Sequence, residues 1–187
     1  MLDPRDYADA EDAGTITHIV HSHPTTNPAP SQADLLGIER TGLPWIIVNP
    51  ITEQYTVTEP SGYKAPLVGR PFVHGVTDCW SLIRDYYAEL GIALPDFERD
   101  AEWWRKGGNL YEEHIEGLGF VRVEDGLQLH DLVLMQLASP VINHGGVYSA
   151  DNVILHHVSG KLSSRDVYGG HLRKITRWIL RHRQLIK

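Results

Sequence analysis

The chain contains one cysteine, Cys79, in the stretch Gly75-Val76-Thr77-Asp78-Cys79-Trp80-Ser81-Leu82-Ile83. Thr77 or Asp78 can cap a helix, and Trp80, Ile83, Tyr87 and Leu90 recur behind them at helical spacing. Cys79 is therefore expected in the first turn of a helix, where unpaired N–H groups and the positive end of the dipole favour thiolate over thiol. A nucleophilic thiolate needs an imidazole beside it and a polar group to orient that imidazole. Downstream, Asn143-His144-Gly145-Gly146-Val147-Tyr148 and then Ile154-Leu155-His156-His157 supply both. A lone cysteine is most often a small buried hydrophobe. The combination of a helix start, a histidine followed by two glycines and a second histidine after an apolar run points instead to nucleophilic chemistry.

A second cluster is His21-Ser22-His23-Pro24, followed by Ser31 and Asp34. On a strand, His21 and His23 project from one face, so both can reach one metal ion. Asp34, one turn into a following helix, adds a carboxylate oxygen. Two histidines and one aspartate leave a tetrahedral zinc one position for water. Ser31 could hydrogen-bond to a developing oxyanion. Ser31-Gln32-Ala33-Asp34 also reads as a variant capping box, with Ser31 as the N-cap.

The elements that must position these residues fall into two segments. In the first, residues 4–14 read as a short helix ended by Gly14, Thr15 to Val20 as a strand and Pro24 to Pro30 as a loop. Ser31 to Glu39 reads as a helix, with strands at Trp45–Val48 and Tyr55–Thr58. Glu59-Pro60-Ser61-Gly62-Tyr63-Lys64-Ala65-Pro66 has linker composition. The domains are accordingly expected at 1–62 and 67–187. In the second segment the cysteine helix is followed by helical stretches near Asp100–Lys106 and Leu110–Leu118. Strands are then expected at Leu132–Gln136, Gly145–Tyr148, Val153–His157 and Ile175–Leu180. Helices first and an antiparallel run of strands afterwards argue for an α+β fold.

Composition narrows the function classes. The 187 residues are 42% hydrophobic and 22% charged, which is globular. A net charge of −7 argues against a nucleic-acid partner. The one basic cluster, Arg173, Lys174, Arg177, Arg181, Arg183 and Lys187, is expected to form a solvated face. A single cysteine excludes an intramolecular disulfide. The polar start Met1-Leu2-Asp3-Pro4-Arg5-Asp6 is unlike a leader, and no run is long enough for a transmembrane segment. Synthesis and folding in a reducing host cytoplasm are expected.

The His-Ser-His-Pro, Ser31 and Asp34 pattern resembles the JAMM zinc isopeptidases. The Asp-Cys-Trp-Ser helix, Asn-His-Gly-Gly-Val-Tyr and Leu-His-His resemble the NlpC-type, papain-like cysteine peptidases. The tandem resembles the tail tip assembly proteins of lambda-like phages, and Arg40-Thr41-Gly42-Leu43-Pro44-Trp45 and Trp178-Ile179-Leu180-Arg181-His182-Arg183 fit that family. The resemblance implies a papain-like domain, helices packed on an antiparallel sheet, preceded by an incomplete JAMM-like α/β domain. It implies Cys79 as nucleophile, His144 as general base and then acid, and His156 as the orienting group. His156 is preferred to His157 because it follows the apolar strand directly and the two point to opposite faces. The Cys79 N–H would help form an oxyanion hole. Implied partners are murein stem peptides, cut between γ-D-glutamate and a diamino acid, and other tail tip proteins.

JAMM enzymes also use a glutamate on an upstream helix as the base for zinc-bound water. The acids before His21 are Asp3, Asp6, Asp9, Glu11 and Asp12, in the segment next to the metal strand. The chain is thus expected to start inside that domain. Its metal half is expected to bind zinc at His21, His23 and Asp34 without hydrolysing anything. Such an incomplete half should leave Trp45, Ile46 and Ile47 poorly covered. The expected function is a tail tip hydrolase acting in tail entry or assembly. A vestigial structural assembly factor and a zinc isopeptidase are the alternatives.

Overall fold

The computed structural model describes residues 4–186; Met1, Leu2, Asp3 and Lys187 lie outside the described residues. The chain divides into two compact units, one ending at Ala65 and the other beginning at Pro66.

The first unit opens with helix α1 (Pro4–Ala13), closed by a hydrogen bond from the Gly14 N–H to the Ala10 carbonyl. Strand β1 (Ile19–Ser22), helix α2 (Gln32–Thr41), strand β2 (Trp45–Val48) and strand β3 (Tyr55–Thr58) follow. β1 pairs parallel to β2, and β2 antiparallel to β3. The strand expected at Thr15–Val20 begins four residues later. The ladder starts where Ile19 faces Trp45, and residues 15–18 have no strand to pair with. Ser31 is the N-cap of α2 in a complete capping box, and Gly42 ends the helix at φ 65°. The poor cover expected over Trp45 and Ile47 is not found: both are buried, and Trp45 packs with Ile19 and Ile38. The exposed apolar groups are on the other face, where Val20, Ile46 and Val57 align across the three strands; Val20 is 67% exposed.

The second unit begins with helix α3 (Cys79–Glu89) and a 3₁₀ turn at Trp103–Lys106. Helix α4 (Leu110–His114) is shorter than the expected 110–118. Then come β4 (Phe120–Arg122), β5 (Leu132–Met135), β6 (His144–Tyr148), β7 (Val153–His156), β8 (Ser164–Val167), helix α5 (Gly170–Ile175) and β9 (Thr176–His182). These strands form one six-stranded antiparallel sheet in the order β4-β9-β5-β6-β7-β8. The architecture is α+β, as expected.

β5 is buried along its whole length and divides two cores. On one face Leu132 and Leu134 meet Trp80, Ile83 and Tyr87 of α3. On the other, Val133 and Met135 meet Ile154 and Tyr168. The helical spacing of Trp80, Ile83 and Tyr87 thus anchors α3 to the sheet, while Leu90 caps the helix and stays partly exposed. The basic C-terminal cluster is not wholly solvated. Arg181 is buried, pairing through Nε with Asp131 Oδ1 at 2.8 Å and through Nη2 with Asp131 Oδ2 at 2.9 Å, while Nη1 reaches Asp125 at 2.9 Å. Charge pairing on this scale is what lets an arginine enter a core. No helix among the described residues is long and apolar enough to cross a membrane.

Candidate functional site

Cys79 is the first residue of α3, and Asp78 is its N-cap, accepting a hydrogen bond from the Ser81 N–H at 2.9 Å. Asp78 also accepts from the Gly75 N–H and from Arg99, through Nε at 3.0 Å and Nη2 at 3.3 Å. This two-pronged contact and the capping bonds hold the Asp78 carboxyl below its usual range despite its burial. Arg99 in turn donates to Asp96 at 2.6 Å and to the Phe97 carbonyl at 2.7 Å.

The two glycines after His144 have a steric reason. A Cβ on Gly145 would lie 2.8 Å from Ile83 Cδ1 of α3. A Cβ on Gly146 would lie 2.8 Å from His156 Cβ, its partner across the β6–β7 ladder. Both distances are below contact, so larger residues would push α3 and the histidine strand away from β6.

His144 Nε2 lies 3.0 Å from His156 Nδ1, and His156 Nε2 lies 3.0 Å from Asp166 Oδ2. The relay is therefore His144, His156, Asp166, with both imidazoles buried. The Nε2 contact leaves Nδ1 as the His144 nitrogen for proton transfer with a thiol. Asp166 stands on β8 opposite Ile154 and reaches His156 on the diagonal. Sequence reasoning missed it, because Ser164–Val167 carries no apolar alternation that marks it as a strand. His157 stands outside the relay: its Nε2 lies 3.2 Å from the Lys161 carbonyl and its ring meets Phe72 edge-on, although it lines the same cavity as Cys79 and His144. Tyr111 is a second missed residue, its hydroxyl 3.4 Å from Cys79 Sγ.

Cys79 and His144 line one cavity of about 430 Å³. Its electrostatics run against the thiolate that the helix start favours. Burial and the neighbouring Asp78 push the Cys79 thiol up to about 11, more than the Tyr111 and Gly145 hydrogen bonds lower it. Burial, with His156 and His157 nearby, pushes His144 down to about 3. Desolvation favours thiol and neutral imidazole, and the carboxylate next door also favours thiol, against the pull of the helix terminus.

In the first unit, His21, His23 and Asp34 come together. His21 Nε2 is 3.4 Å from Asp34 Oδ1 and His23 Nε2 is 3.2 Å from Asp34 Oδ2. The potential ligand atoms of all three lie within 4.8 Å of one another. Tetrahedral zinc with ligand bonds of about 2.05 Å separates its ligands by roughly 3.3 Å, so the donor set fits the ion. His23 Nδ1 donates to the Asn27 carbonyl at 3.2 Å, which turns the Nε2 lone pair toward Asp34. Asp34 Oδ2 also accepts from the Ser31 N–H at 2.8 Å, so the carboxylate serves the capping box as well. Ser31 Oγ accepts from the Asp34 N–H at 3.2 Å, which leaves its own proton to donate. Among the described residues this cluster contains no glutamate.

Comparison with known proteins agrees with this division. Residues 69–181 match the NlpC/P60 family, and residues 3–59 match the prokaryotic homologs of the JAB domain. Tail tip assembly protein K of Escherichia phage N15 is 39% identical over 187 residues, covering 98% of this chain and 76% of that protein. Tail tip assembly protein K of Escherichia phage lambda is 39% identical over 183 residues, covering 97% of this chain and 89% of that protein. The chain belongs to the tail tip assembly protein K family, and it carries a domain of the NlpC/P60 family behind a JAB-like one.

Proposed function

We propose that the second unit is a cysteine peptidase of a phage tail tip, with Cys79 as nucleophile, His144 as base and acid, and His156 and Asp166 as the groups that orient it. The observation that carries this reading is the unbroken His144–His156–Asp166 relay ending at the cavity that holds Cys79.

Asp166 accepts the His156 Nε2 proton, so His156 Nδ1 is free to accept from His144 Nε2–H. His144 Nδ1 is then the basic nitrogen. It takes the thiol proton as Sγ bonds to the substrate carbonyl carbon, and the oxyanion forms beside the Cys79 N–H at the start of α3. The C–N bond breaks, and the His144 imidazolium delivers its proton to the leaving amine. Water, deprotonated by His144, then attacks the thioester, releases the carboxylic acid and returns the thiol. The Asp166 carboxylate stabilises the positive charge that the two imidazoles carry between these steps. A thiol resting in its neutral form fits this order, in which proton transfer accompanies attack.

Murein stem peptides during tail entry are the substrates that the NlpC/P60 resemblance implies, and a tail component during assembly in the host cytoplasm is the other candidate. In the first unit, His21, His23 and Asp34 would hold a zinc ion, with Ser31 positioned to donate a hydrogen bond. Bound zinc supplies Lewis acidity and a polarised water. With no glutamate in the cluster to act as base, the role proposed for this unit is binding and not hydrolysis. The second reading is a structural assembly factor with the same fold. Incubation of the full chain with a stem tetrapeptide and with tail proteins, followed by mass spectrometry, separates the two. Products that vanish with Cys79→Ala establish the peptidase, and their absence with every substrate establishes the structural factor.

A further inference from the structure

We propose that Tyr111 is a further catalytic residue, whose hydroxyl donates a hydrogen bond to the Cys79 sulfur as the thiolate forms. The inference rests on the cysteine-peptidase reading and adds a group that touches the reacting atom.

The contact is direct. Tyr111 Oη lies 3.4 Å from Cys79 Sγ, the one side-chain hydrogen bond to that sulfur among the described residues. His74, Asp78, Arg99, Glu102, His144 and His157 line the same cavity, but they are turned to other partners. Asp78 and Arg99 hold each other, and His144 meets His156. His74 meets the Arg99 carbonyl, His157 the Lys161 carbonyl and Glu102 the exposed Arg105.

The fold holds the hydroxyl in place. Tyr111 belongs to α4 and is 3% exposed. Its ring meets Trp80 edge-on at 6.1 Å and Trp103 at 6.3 Å. Trp80 follows Cys79 in α3, so the phenol packs against the nucleophile's own helix. A Cβ on Gly145 would touch the same hydroxyl at 3.5 Å, which puts it between α3 and β6.

The sulfur needs such a donor. Burial withholds water from it, and Asp78 next door repels negative charge. At rest either the thiol or the phenol can donate. Once His144 has taken the thiol proton, the electron pair stays on sulfur until the bond to the carbonyl carbon forms, and only the phenol can donate. Tyr111 keeps its proton throughout, because burial and the neighbouring sulfur hold the phenol well above the ordinary tyrosine range. A hydrogen bond to an anion is about twice as strong as one between neutral groups. The contact therefore tightens as charge develops, which is what lowers a barrier.

The test compares the full chain with Tyr111→Phe, which removes only the hydroxyl. Tyr87→Phe is the control, since it deletes another buried hydroxyl of the same core, bonded to the His130 carbonyl at 2.6 Å. Iodoacetamide alkylation of Cys79 is followed by intact mass at pH 7, 8 and 9, with stem-tetrapeptide cleavage in parallel. Tyr111→Phe should slow alkylation roughly 3- to 15-fold, the loss of one hydrogen bond to a charged group being partly offset by the higher nucleophilicity of a more basic thiolate. Its kcat should fall by a similar factor with KM unchanged, and Tyr87→Phe should change neither. Tyr111→3-fluorotyrosine, a stronger donor of nearly the same shape, should speed alkylation, and it reads the contact even where Tyr111→Phe does not fold. Unchanged alkylation or unchanged kcat in folded Tyr111→Phe, or equal slowing by Tyr87→Phe, would overturn the role of the tyrosine while leaving the peptidase. Slowed alkylation with no cleavage by any chain would support the tyrosine–thiolate contact and overturn the peptidase.

Discussion

Asp166 Oδ2 lies 3.0 Å from His156 Nε2, one strand beyond the histidine and 10 residues along the chain. This contact selects which nitrogen of His156 carries the proton, and through it which nitrogen of His144 is basic. Cys79→Ala and His144→Ala are expected to remove peptide hydrolysis, the second by roughly 10²- to 10⁴-fold, the usual worth of a general base. His156→Ala and Asp166→Asn should leave measurable residual rates, since an orienting group matters less than the nucleophile or base. Turnover followed by mass spectrometry gives the order; full activity in Cys79→Ala would sink the cysteine mechanism.

The thiol value of about 11 has a direct consequence for reactivity. Only the thiolate is alkylated, so the iodoacetamide rate at Cys79 should rise about tenfold per pH unit between pH 7 and pH 9. Intact-mass measurements at three pH values are sufficient. A rate already flat from pH 6 upward would mean a preformed thiolate–imidazolium pair and a site more polar than its walls indicate.

His144 is held near 3 in the folded chain against 6.5 for an ordinary histidine. The unfolded chain therefore binds more protons between these values, so stability is full above pH 6.5 and is lost as pH falls toward 3. His157, also lowered by burial, acts in the same direction. Between pH 6.5 and about 4.5, above the carboxylate range, each such histidine removes at most about 1.4 kcal/mol per pH unit. Urea unfolding at pH 7, 6 and 5 should show this slope, and His144→Gln should flatten it. An unchanged slope in the variant would place the titrating group elsewhere.

Zinc is expected to bind once per chain at His21, His23 and Asp34, more weakly than at a site with four protein ligands. His21→Ala or Asp34→Ala should remove it. Asp34→Ala should also lower the stability of α2 by about 1 kcal/mol, because the capping box is lost with the ligand. Removing the metal with a chelator should leave Cys79-dependent cleavage intact. Metal content paired with cleavage reads both; activity that follows the zinc and survives Cys79→Ala would move the chemistry to the first unit.

Residues 67–187 should fold alone with a cooperative melt, having two cores on either side of β5. Residues 1–62 should not. Their sheet has three strands, and Val20, Tyr55 and Val57 remain 67%, 66% and 49% exposed on one face. Thermal melts of the two pieces provide the check. A cooperative transition from the short piece and none from the long one would reverse the assignment.

Much of this protein is legible in its sequence because it is local. The start of α3 at Asp78, the cap at Ser31 and the side-by-side placement of His21 and His23 depend on contacts within a few residues, where capping and periodicity operate. The two-residue repeat of a strand likewise separates His156 from His157 before any partner strand is known. What lies outside the sequence depends on register and burial. Asp166 meets His156 only because β8 pairs with β7 as it does, and Tyr111 reaches the sulfur only because the chain returns to α3. Arg181 counted as a surface charge until the fold supplied Asp131. The protonation of Cys79 is set in the same way. A dipole is carried by the local helix, whereas desolvation is set by everything that packs around the sulfur, and only the tertiary structure decides how much that is.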